Sequence, residues 1–128
     1  MAVPILKQGA YLIASVQSAL TDVDLLELRT DLVTMVGRYR SRGVIVDVTA
    51  LDILDSFASR TIRDTAHMIR LRGAETVIVG IQPEVALTMV QLGLTLAGVA
   101  AALDLEEGLA FLDRGTRRIG ADAASPGS

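Results

Sequence analysis

Val44-Ile45-Val46-Asp47-Val48-Thr49-Ala50-Leu51-Asp52-Ile53-Leu54-Asp55-Ser56-Phe57-Ala58 changes character twice within fifteen residues. Its first part is a short β-branched run with no helical period, which reads as a central strand buried on both faces. Polar residues follow at once, as they must where a chain leaves a sheet. From Asp55 onward, Ala58, Ile62, Thr65, Ala66 and Ile69 recur at helical spacing, with Arg60, Arg63, Asp64 and Arg70 on the opposite side. Gly73 closes that helix. A buried strand, a polar loop and an amphipathic helix in succession place the chain in the α/β class.

The flanking segments extend the pattern. Upstream, residues 4–7 and 11–16 read as two strands joined by a tight turn at Gln8-Gly9. Thr21-Asp22 then supplies a cap for a helix carrying Leu25, Leu28, Leu32, Met35, Val36 and Tyr39 on one face. Downstream, residues 76–79 read as another central strand, and Pro83 opens a helix at the position where its missing N–H is harmless. Residues 99–103 follow as an edge strand. Asp104 with Glu107 resembles a capping box for a last helix ending near Arg114. The order β-β-α-β-α-β-α-β-α gives a single mixed sheet with right-handed helical crossovers. One domain over residues 1–114 is expected, with a flexible tail over 115–128 where Gly, Ala, Ser, Pro and Asp dominate.

Composition narrows the function classes. Of the 128 residues 51% are hydrophobic but only 3% aromatic, so the core is built from Leu, Val, Ile and Ala rather than large rings. There is no cysteine, which removes disulfides and thiolate metal sites and is compatible with a reducing cytoplasm. A net charge of −3, a single lysine and no basic run longer than Arg117-Arg118 argue against a nucleic-acid partner. The N-terminal residues do not resemble a secretory signal. Residues 85–103 carry no charge, but Thr88, Gln91, Gly93, Thr95 and Gly98 interrupt them, so they read as a buried helix and a short strand rather than a membrane span.

No phosphate-cradling glycine motif follows any of the strands. Asp47, Asp52 and Asp55 form a carboxylate cluster that could hold Mg²⁺ or accept a phosphoryl group, but such a receiver needs a nearby lysine and Lys7 is the only one. His67 stands alone in mid-helix. A triad of Ser56, His67 and an aspartate lacks the nucleophile elbow that would expose the serine. The residues therefore predict no catalytic group, no metal and no cofactor. What remains is Ser56 at a helix start, where free N–H groups and the helix dipole stabilise added negative charge and Arg60 lies one turn on. Asp55 and Ser56 also serve equally well as ordinary helix-starting residues, and local composition alone leaves both readings open.

The segment 46–52 together with Asp55-Ser56-Phe57-Ala58 resembles the signature of STAS domains, the sulfate-transporter and anti-sigma-factor-antagonist family. Pro4-Ile5-Leu6, Gly80-Ile81-Gln82-Pro83 and residues 102–109 are similar to its RsbS-type branch, so the resemblance covers about residues 3–113. It implies the STAS fold and a non-catalytic stressosome scaffold. Ser56 would be the serine phosphorylated by a switch-type serine/threonine kinase. Asp55 would position and cap, and Asp47, Thr49, Asp52 and Arg60 would support the phosphosite. Ser59, a turn further in, does not occupy the family's Asp-Ser position. The implied partners are that kinase, larger sensor-bearing STAS co-antagonists and further copies in a large cytoplasmic assembly. A free anti-sigma-factor antagonist and a small-ligand or nucleotide-binding STAS module are the alternatives.

Overall fold

A computed structural model describes the backbone of residues 3–124 and the side chains of residues 3–115. The elements follow the expected order: β1 (Ile5–Gln8), β2 (Tyr11–Ser15), α1 (Asp22–Tyr39), β3 (Gly43–Asp47), α2 (Ser56–Leu71), β4 (Glu75–Val79), α3 (Pro83–Gln91), β5 (Ala100–Ala102) and α4 (Leu105–Ala124). The five strands lie in sequence order across one sheet, β1 antiparallel to β2 and the remaining pairs parallel. The sheet is mixed, as the sequence implied.

Alternation along the strands assigns each face. Val44, Val46 and Ile78 point into a core shared with Leu28, Leu32 and Val36 of α1, Ile62 and Ile69 of α2, and Val85 and Met89 of α3. Ile45, Val77 and Val79 point the other way, onto Leu112 and Leu109 of α4. Three helices therefore cover one face and the fourth covers the other, which explains why β3 and β4 are apolar without alternation. Each fully buried Val or Ile of these strands contributes about 1.5–3 kcal/mol relative to exposure. A hydrogen bond from the Tyr11 hydroxyl to Asp113 also ties α4 to the sheet.

Local chemistry sets the boundaries. Thr21 caps α1 in a reciprocal box with Asp24. α1 ends on Arg40 in the left-handed conformation, before the expected stop at Gly43, which instead begins β3. The hairpin turn is Gly9-Ala10 rather than Gln8-Gly9, because Gln8 pairs with Tyr11 and Gly9 adopts φ 60°. β5 is shorter than the expected 99–103, and β1 is displaced by one residue from 4–7. Asp104 Oδ1 accepts the Glu107 amide at 2.9 Å, while Glu107 reaches back to the Leu103 amide at 2.9 Å, one residue before the usual capping-box partner.

The largest departure is at the end of α4, which runs to Ala124 rather than stopping near Arg114. Glycine inside a helix costs only about 1 kcal/mol relative to alanine, and the arginines and alanines beyond Gly115 are good helix formers, so the helix continues. The tail expected over residues 115–128 is thus helical in its backbone as far as Ala124, and residues 125–128 lie outside the described residues. Among the described residues no helix is long and apolar enough to cross a membrane, and residues 85–103 divide into α3, a loop and β5.

Candidate functional site

The parallel strands β2, β3 and β4 all end at one edge of the sheet, and the loops there carry the residues singled out by the sequence. After β3, Asp47 turns back on its own loop and accepts the Thr49 amide at 2.9 Å and the Thr49 hydroxyl at 2.6 Å. Leu51 and Leu54 anchor the loop in the core at 8% and 3% exposure. Asp52 stands exposed between them. The loop is thus pinned by alternating polar and apolar attachments before it enters α2.

Asp55 is the N-cap of α2, with extended backbone and Oδ1 accepting the Ala58 amide at 2.8 Å. The Ser59 amide bonds the Asp55 carbonyl at 2.9 Å. Ser56 is the first helical residue, exposed, and its hydroxyl has no hydrogen-bond partner among the described residues. The Ser56 and Phe57 amides are donors of this helix terminus that Asp55 does not engage. Ser59 is different in kind. It is 1% exposed and its Oγ is buried without a partner. The first serine is open to solvent and the second is not.

Two neighbours complete the surroundings. Gln82 donates to the Thr49 carbonyl at 2.6 Å, and Gly80, at φ 80°, passes so close that a Cβ there would lie 1.9 Å from Thr49 Oγ1. Beside Asp55 an apolar cavity of about 250 Å³ is lined by Val16, Leu20, Leu25, Leu54 and Ala58, with Ile53 at its lip 73% exposed. Sequence reading passed over Gly80, Gln82 and Ile53 as site residues. Gly80 and Gln82 sit in the loop after β4, which only the parallel pairing of β3 and β4 brings alongside Thr49. Ile53 lies between Leu51 and Leu54, so no signal in the sequence separated the exposed isoleucine from the buried leucines.

Other readings of the loop do not assemble. Among the described residues no three His, Asp or Glu side chains group as a metal site. Lys7 donates to the Gly9 carbonyl at 3.2 Å and lies 5.7 Å from the Tyr39 ring centroid, at the sheet edge opposite Asp47. His67 lies eleven residues along α2 from Ser56, about 16 Å of helical rise. Arg60, one turn beyond Ser56, is exposed and has no ion-pair partner among the described residues.

The sheet order, the three-and-one arrangement of helices and the capped helix after β3 define a recognisable class. A family model described as STAS domain matches residues 3–101, and the chain belongs to the STAS domain family. Over most of its length the chain is similar to RsbS. RsbS of Moorella thermoacetica, solved as a serine-to-glutamate variant, is 31% identical with a TM-score of 0.77, over 90% of this chain and 97% of that one. A chain of the stressosome, described as a signal integration and transduction hub, is 30% identical with a TM-score of 0.72, over 89% of this chain and 99% of that one. The RsbT co-antagonist protein RsbRA of Bacillus subtilis (strain 168) is 33% identical over 79 residues, 62% of this chain and 29% of that protein. The chain spans about a quarter to a third of the length of the curated relatives it matches. The curated relatives RsbRA and RsbRD are named as RsbT co-antagonist proteins.

Proposed function

We propose that the chain is a cytoplasmic stressosome scaffold and phosphoacceptor, which sequesters a switch-type serine/threonine kinase and releases it once Ser56 is phosphorylated. The observation that carries this reading is the placement of Ser56: exposed, first in α2, its hydroxyl unengaged, at a terminus whose Ser56 and Phe57 amides Asp55 does not engage. Phosphate there gains the helix dipole and those donors, and Arg60 one turn on supplies a counter-charge. The same phosphate adds roughly two negative charges to a surface already holding Asp52 and Asp55. Asp55, Asp47 and Thr49 hold the loop so that the change occurs at a fixed place rather than on a mobile tip.

The partners follow from similarity to the stressosome chain and to RsbRA, a co-antagonist more than three times as long as the matched segment. Larger STAS proteins bearing sensor domains, together with further copies of this chain, form the assembly in this reading, and the kinase is its cargo. The test is co-assembly with such a partner and the kinase, followed by light scattering and kinase retention. Wild type and Ser56→Ala are expected in a large particle that holds the kinase, and Ser56→Asp in one that has lost it. A small complex of chain and kinase alone would instead identify a free antagonist, and undiminished retention by Ser56→Asp would remove Ser56 from the switch.

A further inference from the structure

The end of the molecule opposite Ser56 carries a cavity of about 580 Å³ between the C-terminal ends of α1 and α2. Arg40, Ser41 and Arg42 line it from the α1–β3 connection, Gly37 from α1, and Leu71 and Arg72 from the end of α2. No carboxylate lines it, and its three arginines have no ion pair or side-chain hydrogen bond among the described residues.

Helix termini of this polarity attract cations, so capping is the first explanation to weigh. Two helix C-termini present roughly one negative charge in total against three guanidinium charges, which leaves the cavity about +2. Three of the carbonyls near these termini are also occupied by backbone. Val36 O accepts the Arg40 and Ser41 amides, Ile69 O accepts those of Arg72 and Ala74, and Arg70 O accepts that of Gly73. None of the three guanidinium groups donates to a terminal carbonyl among the described residues.

Three details indicate that the basic cavity is built. Gly37 sits inside α1, where a Cβ would lie 1.9 Å from Arg72 Nη2, so the Arg72 guanidinium lies close against the α1 backbone and any side chain at position 37 would displace it. Arg40 occupies a left-handed conformation, φ 49° and ψ 45°, where glycine or asparagine is the less strained choice. Ser41 is 4% exposed and its Oγ has no partner. A glycine in mid-helix, an arginine at a strained position and an orphaned hydroxyl converge on one concavity.

We propose that this cavity binds a small oligophosphate, of which inorganic diphosphate is the minimal form. Guanidinium forks match phosphate oxygens two at a time, and the excess charge calls for a ligand carrying at least two negative charges. The volume exceeds what a single phosphate fills, and Val36 and Leu71 offer an apolar wall for whatever the phosphates are attached to. The site is remote from Ser56 and requires neither kinase nor assembly.

Calorimetric titration of the full chain with inorganic diphosphate, at constant ionic strength, tests it. One saturable site per chain is expected, weakened about tenfold or more by Arg72→Gln and by Arg40→Gly, and unchanged by Arg29→Gln in the first half of α1. Arg40→Gly also relieves the left-handed backbone, so its melting temperature should rise while its affinity falls. Absence of saturable binding at millimolar diphosphate would overturn the proposal. So would equal binding by all variants, or displacement of diphosphate by a glutamate-rich peptide that binds more tightly.

Discussion

The Gln82 side-chain amide donates to the Thr49 carbonyl at 2.6 Å, although Gln82 is the N-cap of α3 and makes no side-chain cap of its own. The residue that begins one helix is thereby committed to holding the loop that leads to another. Gln82→Ala should lower stability by about 1 kcal/mol, read as a lower urea midpoint with an unchanged slope. Amide exchange should quicken over residues 48–55 before it does elsewhere. Uniform protection in the variant would show that the loop is held without Gln82.

Gly80 faces the same loop and is less replaceable. At φ 80°, with a Cβ position 3.0 Å from Thr49 Cα, alanine must both strain the backbone and push the loop aside. Gly80→Ala should cost about 2 kcal/mol or more in thermal or chemical unfolding. A loss below that of Gln82→Ala would mean that the loop yields freely.

Asp55 acts on stability through its cap and on signalling through its place beside Ser56. Asp55→Ala should cost about 1 kcal/mol, while Asp55→Asn, which can still accept the Ala58 amide, should retain most of that. Equal losses for the two substitutions would show that charge rather than hydrogen bonding sets the contribution.

Ser59 gives the opposite expectation. Its hydroxyl is buried without a partner, so Ser59→Ala removes an unsatisfied polar atom. The substitution should be neutral or stabilise by up to about 1 kcal/mol, and phosphate incorporation should be unaffected. A marked drop in stability would point to a partner for that hydroxyl in solution.

Much of this organisation was legible in the residues, and the remainder was hidden for identifiable reasons. The run from Val44 to Val46 lies between two helical layers and is apolar at every position, which only a doubly covered strand requires. Asp55 and Ser56 carry cap chemistry directly in their side chains, so the start of α2 fell where it was expected. The hairpin turn shifted because Gly9, not the Gln8-Gly9 pair, sets its backbone. The end of α4 was hidden because one glycine is a weak stop when good helix formers follow. The Gly80–Thr49 approach and the arginine cavity each join segments about thirty residues apart, and in sequence each half reads as an ordinary loop or helix terminus. Phosphorylation of Ser56 was carried by family resemblance, since capping and phosphate acceptance favour the same residue types.

The central claim is that Ser56 is the phosphate acceptor, and mass-spectrometric mapping after incubation with ATP and the cognate kinase tests it most directly. Wild type should carry phosphate on Ser56 alone and only when kinase is present, and Ser56→Ala should carry none. Equal labelling of the alanine variant, or phosphate placed on another residue of the wild type, would contradict it.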